Sequence, residues 1–237
     1  MRKLVVGDIH GGYKALMQVL ERAKFNEQKD FLIGIGDYVD GWSESSKVID
    51  YLINLKNFKG VVGNHDHPWA SDWMLGKYVE RAWISQGGQA TIGSYKKEFA
   101  QDIKKHGEWL SSLPYYLEID NKLFIHGGSK DLNYVKNEFG WDITWDRDLW
   151  GKVALKYVYP NKYKAPLSTE PYNEVYLGHT STSRARPDLK PIILEGFYLI
   201  DQGGGWEGKL TLMDIDTKDY WQSDLVKDLY PEEKGRG

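Results

Sequence analysis

Three apolar runs in the first third of the chain end in the same way. They read Val5-Val6-Gly7-Asp8-Ile9-His10-Gly11, then Phe31-Leu32-Ile33-Gly34-Ile35-Gly36-Asp37-Tyr38-Val39-Asp40-Gly41, then Val61-Val62-Gly63-Asn64-His65-Asp66. A run that is apolar at every position, bounded by glycines, fits a buried strand whose polar residues follow at its open end. Strands are therefore predicted at the first run, over 31–36 and over 59–63. Between them, 13–24 places Leu16, Val19, Leu20 and Ala23 at helical spacing, and 43–56 does the same with Val48, Ile49, Leu52 and Ile53. Ser43 or Ser45 is the candidate cap of the second helix. Strands alternating with helices predict a largely parallel first half with helical crossovers.

The pattern changes at residue 68. Over 68–112 it mixes helical spacings with Trp69, Trp73, Trp83, Trp109 and a Gly87-Gly88 break, and reads as a helical elaboration over the site. Apolar stretches at 115–120 and 122–126 flank Asp120-Asn121 and predict a hairpin. The stretch 130–172 carries Trp141, Trp145, Trp150 and three prolines, and is expected to be an irregular lid or loop. Strands return at 175–178, 192–194, 197–200, 209–215 and 219–222, with a tight turn at Gly203-Gly204-Gly205. One domain over 1–230 with a frayed 231–237 tail is the expected organisation.

Composition narrows the chemistry. With 237 residues, 41% of them apolar and 27% charged, the chain fits a soluble domain with a substantial core. A net charge of −3 argues against a nucleic-acid or membrane partner recruited by bulk electrostatics. Cysteine is absent, so any metal must be held by nitrogen and oxygen. Met1-Arg2-Lys3-Leu4 leads straight into the first strand without the apolar region of a signal peptide, and no stretch approaches the roughly 18–20 apolar residues that span a bilayer. A cytoplasmic location is expected.

A two-metal hydrolase needs two cations roughly 3.5–4 Å apart, a bridging carboxylate and a shell of His, Asp and Asn. Asp8, His10, Asp37, Asn64, His126 (in Phe124-Ile125-His126-Gly127-Gly128) and His179 (in Leu177-Gly178-His179-Thr180) all follow apolar runs and lie beside glycine. Any one of them alone reads more readily as a turn or structural residue. Together they outweigh that reading: of six histidines, His10, His65, His126 and His179 occupy such strand-end motifs, leaving His67 and His106 outside.

The ordered series Gly7-Asp8-Ile9-His10-Gly11, Gly36-Asp37-Tyr38-Val39-Asp40, Gly63-Asn64-His65-Asp66, His126-Gly127-Gly128 and Gly178-His179-Thr180 resembles the phosphoprotein phosphatases within the calcineurin-like metallophosphoesterases. It is most similar to the bacterial and bacteriophage lambda-type serine/threonine protein phosphatases, and Leu199-Ile200-Asp201-Gln202-Gly203 resembles the family's closing segment. The resemblance implies an α/β metallophosphoesterase sandwich: two mixed β-sheets face to face, helices on the outer faces, a dinuclear site at the strand ends. It implies that Asp8, His10 and Asp37 hold one divalent ion and that Asp37, Asn64, His126 and His179 hold the other. Manganese is named first, with iron, zinc, cobalt or nickel as alternatives. Water acidified by the two cations would attack phosphorus in line; His65 would protonate the leaving alkoxide and Asp40 would orient His65. Asn64 and Arg147, in Trp145-Asp146-Arg147, would bind the substrate phosphate.

One position departs from the family pattern. The family usually continues Asp-Arg-Gly where this chain has Asp40-Gly41-Trp42, so an arginine that grips phosphate is missing. Losing one charge-assisted contact costs roughly 1.5–3 kcal/mol, a weakening rather than an abolition. Arg184, Arg186 and Lys130 are candidates to compensate, though each alone reads more readily as a solvated charge. Retention of Asp40 favours the protein-phosphatase branch over symmetrical diadenosine tetraphosphate hydrolases, which typically carry a small residue there. The expected substrate is a phosphorylated protein or a small phosphoester. The alternatives are a nucleotide, diadenosine-polyphosphate or phosphodiester hydrolase, and a catalytically weak, metal-stabilised phospho-ligand binding module. Trp42, Trp69, Trp73, Trp141, Trp145 and Trp150 read chiefly as core, with a stacking groove as the rival. Asp66 and His67 are either outer groups behind the metal ligands or solvated turn residues.

Overall fold

The computed structural model describes residues 1–96 and 99–236. Lys97 and Glu98, in the predicted elaboration, and Gly237, in the predicted tail, lie outside the described residues. In chain order the strands are β1 (Lys3–Val6), β2 (Phe31–Gly34), β3 (Phe58–Gly60), β4 (Tyr116–Ile119), β5 (Lys122–Ile125), β6 (Glu174–Leu177), β7 (Ile192–Leu194), β8 (Phe197–Leu199), β9 (Thr211–Asp214) and β10 (Tyr220–Gln222). The helices are α1 (Tyr13–Arg22), α2 (Ser45–Asn54), α3 (Ser71–Met74), α4 (Arg81–Trp83), α5 (Gln89–Ser94), α6 (Ile103–Ser112), α7 (Gly140–Trp145), α8 (Asp148–Val158) and α9 (Val226–Leu229).

Two five-stranded mixed sheets result, ordered β10-β9-β1-β2-β3 and β4-β5-β6-β8-β7. The continuous apolar runs are explained by strands buried on both faces. In β1, Leu4 and Val6 pack with the helices while Val5 enters the core between the sheets; in β2, Leu32 and Ile33 divide the same way. The inter-sheet core is completed by Met213, Ile215, Ile200 and a stack of Phe124, Tyr176 and Tyr198 with ring centroids 4.8 and 4.5 Å apart. Each fully buried aliphatic or aromatic side chain there contributes about 1.5–3 kcal/mol. Helix α1 buries Ala15, Leu16, Val19 and Leu20 as one stripe, and α2 buries Val48, Ile49 and Leu52. Neither serine caps α2. Its cap position is Glu44, whose side chain makes no capping bond, and both serine hydroxyls are engaged elsewhere, Ser43 by Glu233 and Ser45 by Thr91.

Two further expectations need correction. The 130–172 stretch is not an irregular lid throughout: it contains α7 and α8, and α8 buries Leu149, Trp150, Val153 and Ala154 against the second sheet. Polar and aromatic residues between those positions obscure a stripe that burial makes plain. The 231–236 segment is not frayed. The Glu233 carboxylate accepts hydrogen bonds from the Ser43 amide (2.9 Å) and hydroxyl (2.7 Å), and the Arg236 amide donates to the Gly205 carbonyl (3.0 Å).

Parallel pairing positions the site. Val6 is level with Gly34, Gly34 with Gly60, and, in the other sheet, Ile125 with Leu177 and Leu177 with Leu199. The polar motifs that follow these strands leave the two sheets at one shared edge.

Candidate metal centre

Backbone conformation at that edge is unusual. His10, Asp37, Asp40 and His179 all adopt positive φ, at 50°, 53°, 70° and 64°. Non-glycine residues rarely do so unless the surroundings hold them there. The adjoining glycines supply close approach: a Cβ on Gly63 would lie 2.1 Å from Asp37 Oδ1, and one on Gly178 would lie 2.3 Å from Asp8 Oδ1. No larger residue fits beside these carboxylates.

The candidate ligands fall into two groups that share one member. Single ligand atoms of Asp8, His10 and Asp37 lie within 4.8 Å of one another, and so do those of Asp37, His126 and His179. Asp37 Oδ2 is 3.5 Å from His10 Nε2 and 3.3 Å from His126 Nε2, and Asn64 Oδ1 is 3.1 Å from that same His126 nitrogen. The histidine tautomers are set from behind. His10 Nδ1 faces the Val39 and Asp40 carbonyls at 3.0 and 2.9 Å, and His126 Nδ1 faces the Ile35 carbonyl at 2.9 Å. Each Nδ1 donates to its carbonyl, which turns Nε2 inward: that of His10 to 3.4 Å from Arg236 Nη1, and that of His126 toward Asn64 and Asp37. Burial acts against charge on His126, but the Asp37 carboxylate outweighs it and raises His126 to about 9.

Divalent cations fit this arrangement on two independent grounds. Asp8 Oδ1, His65 Nε2 and His179 Nε2 are buried without a hydrogen-bond partner, a cost a native fold rarely carries without a ligand. Asp8, Asp37, Asp40, Asp66 and Asp201 are all buried around one point, and buried carboxylates need compensating positive charge. Burial, with Asp201 nearby, pushes the Asp8 carboxyl well above its usual range, and burial raises Asp201 to about 6. Burial also acts against the charge on Asp37, but His126, His65 and His10 more than offset it and hold that carboxyl well below the ordinary value.

Around the two groups stand residues with other capacities. His65 Nδ1 lies 2.9 Å from Asp40 Oδ2 while its Nε2 faces the centre. Asp40 is fully buried, and also accepts from Trp83 Nε1 and the Thr91 hydroxyl, each at 2.6 Å. Burial raises Asp40 to about 8 despite those bonds, and burial lowers His65 to about 3. Trp83 and Thr91 come from the 68–112 elaboration and carry no local signal in the sequence. Asp66, open between two readings in sequence, is a fully buried anchor: its carboxylate accepts from the amides of Asp37 (2.7 Å), Tyr38 (2.8 Å), Gly63 (2.9 Å) and Val39 (3.4 Å). Burial and Asp37 raise its carboxyl to about 8, against four donors that favour the charge.

Arg147 sits on the exposed rim, its guanidinium 5.8 Å from the Trp145 ring centroid, its pKa lowered by burial and by Arg184 and Arg236. Of the three candidates to compensate at position 41, Arg186 is tied to Asp188 by two bonds of 2.5 and 2.6 Å, Lys130 lines a separate cavity with Asn133 and Lys152, and Arg184 lines another with Ser181, Gln202 and Trp206. The tryptophans divide. Trp42 and Trp83 are fully buried, whereas Trp69 and Trp145 wall the centre, with centroids 5.6 Å from His65 and 5.8 Å from His179. Beyond Trp69 and Trp141 opens a cavity of about 510 Å³, also lined by His67, Tyr78, Tyr115 and Phe139.

Residues 1–218 match the model of the calcineurin-like phosphoesterases. The chain is similar to serine/threonine-protein phosphatase 2 of Salmonella typhimurium, 42% identical over 160 residues that make up 64% of this chain and 68% of that protein. It is also similar to the symmetrical bis(5'-nucleosyl)-tetraphosphatase of Buchnera aphidicola subsp. Schizaphis graminum, 47% identical over 62 residues, or 26% of this chain; the match spans only 23% of that relative's length. Among solved structures it resembles a metallophosphoesterase from Sphaerobacter thermophilus, with a TM-score of 0.60, 15% identity, and coverage of 98% of this chain and 93% of that one.

Proposed function

The chain belongs to the calcineurin-like phosphoesterase family, and from that premise we propose that it hydrolyses phosphoserine and phosphothreonine monoesters with two divalent cations, manganese first. Asp8, His10 and Asp37 would hold one ion; Asp37, Asn64, His126 and His179 would hold the other. The observation that carries this reading is the Asp37 carboxylate, common to both ligand groups. When bound, the cations supply an acidified water and neutralise charge on the phosphate.

The protein's own groups supply the rest. His65 Nε2 delivers a proton to the leaving alkoxide, which otherwise departs poorly. Asp40 fixes the imidazole through Nδ1, and burial disfavours charge on both, raising the Asp40 carboxyl and lowering His65. Trp83 and Thr91 keep the Asp40 carboxyl from rotating away. Asn64 and Arg147 take phosphate oxygens, and the Trp69–Trp145 wall excludes water on one side. The supporting likeness is to a serine/threonine-protein phosphatase over about two-thirds of its length. A second reading, hydrolysis of dinucleoside polyphosphates, draws on the shorter match to the tetraphosphatase and on Gly41.

The test is a hydrolysis panel on manganese-loaded protein: a phosphoserine peptide, diadenosine tetraphosphate and bis-nitrophenyl phosphate, with Asp37→Asn and His65→Ala as controls. The expected result is fastest turnover of the peptide, lost in both controls. Preference for the dinucleotide or diester transfers the site to the second reading. Metal binding without any turnover leaves a phospho-ligand binding module.

A further inference from the structure

The 231–236 segment brings a cation to the centre from the far end of the described chain. Glu233 is pinned to Ser43, Gly235 turns the backbone at φ 64°, and the Arg236 amide is held by Gly205. The side chain then passes between two residues without side chains. A Cβ on Gly41 would lie 3.0 Å from Arg236 Cγ, and one on Gly205 would lie 3.0 Å from Arg236 Cδ and 2.4 Å from His10 Cδ2. Its guanidinium rests 5.0 Å from the Trp206 ring centroid, a contact that fixes the plane of the fork. Nη1 reaches to 3.4 Å from His10 Nε2, while Nε is buried with no partner.

We propose that Arg236 contacts the phosphate of the substrate, replacing from the 231–236 segment the arginine that position 41 lacks. The proposal rests on the hydrolase reading above for the identity of the anion. A half-buried guanidinium beside His10, with a buried unpaired Nε–H, calls for an anion with several acceptor oxygens, which a phosphate monoester provides. Gly41 takes on a second meaning: the missing side chain leaves the room that Arg236 occupies. The charge of Arg236 is also felt at His10, His65, Asp40 and, across the centre, Arg147. The two guanidiniums thus approach the centre from separate segments; of the earlier candidates, Arg186 is committed to Asp188, Lys130 lies by another cavity, and Arg184 lines a third cavity with Ser181, Gln202 and Trp206.

Calorimetric titration of orthophosphate into manganese-loaded wild type, Arg236→Ala and Arg236→Lys tests this, alongside manganese stoichiometry and steady-state kinetics on p-nitrophenyl phosphate. Arg236→Ala is expected to bind orthophosphate about 10- to 100-fold more weakly and to lose a similar factor in kcat/KM. Manganese affinity should stay within about twofold, and Arg236→Lys should recover part of the loss by restoring charge without the fork. Equal orthophosphate affinity in wild type and Arg236→Ala, or no binding by wild type, overturns the proposal. So does tighter manganese binding or faster turnover in Arg236→Ala, because the guanidinium would then be a plug on His10. If wild type cleaves no ester while Arg236→Ala still loses orthophosphate affinity, the hydrolase reading falls and the anion contact stands.

Discussion

The metal-facing and phosphate-facing sides of this centre are built in opposite ways. On the side of the candidate metal ligands, Asp8, His10, Asp37, Asn64 and His126 are almost completely buried and follow the ends of neighbouring strands; backbone groups orient Asp8, His10, Asp37 and His126, and Asn64 meets the His126 side chain. Of the two proposed phosphate contacts, Arg147 follows α7, and Arg236 is carried by a segment without regular structure; both are partly in solvent. Ligands for a cation must hold their spacing before it arrives, so their conformational freedom is removed by the fold itself. A cation that grips an anion works from a long side chain, and only the point of attachment has to be fixed. On the proposed reading, a guanidinium can be supplied from a segment other than residue 41, whereas among the described residues Asp37 is the member common to both ligand groups.

The largest effect is expected at the shared carboxylate. Asp37→Asn is expected to lower kcat on a phosphoserine peptide by at least about a thousandfold, since it removes a charge from both ligand groups at once. A second attempt removes the cations: chelation should lower the melting temperature by about 10 °C, because ions bound well above their dissociation constants contribute several kcal/mol. Insensitivity of the melting curve to chelator would mean that the buried carboxylates balance one another. Third, Asp66→Ala strands four buried amides and should cost about 3–5 kcal/mol in denaturant unfolding. A cost below about 1 kcal/mol would show that the loops hold without it. The smallest effect belongs to the rim: Arg147→Ala should reduce kcat/KM about tenfold with unchanged stability.

Legibility in the sequence follows the same division. The metal-facing side could be read because each ligand sits within a short window of apolar run, glycine and polar residue, and the two-sided burial of β1, β2, β5 and β6 makes those runs conspicuous. On the other side only Arg147 could be named from sequence. Arg236 meets His10 across 226 residues of sequence, and Thr91 meets Asp40 across 51, with no periodicity linking either pair. Asp66 stood inside a motif, yet nothing in sequence separates a turn carboxylate from one that binds four amides. Helix α8 was hidden differently: its Leu149, Trp150, Val153 and Ala154 stripe is present, but tryptophans and prolines nearby suggested irregular chain.

The central claim is that Asp37 joins two ligand groups into one dinuclear centre. The most direct measurement is manganese titration of the metal-free chain by calorimetry with native mass spectrometry, for wild type and Asp37→Asn. The account predicts two ions per wild-type chain and the loss of at least one in the variant. A single ion in wild type, or two ions retained at unchanged affinity in Asp37→Asn, would contradict it.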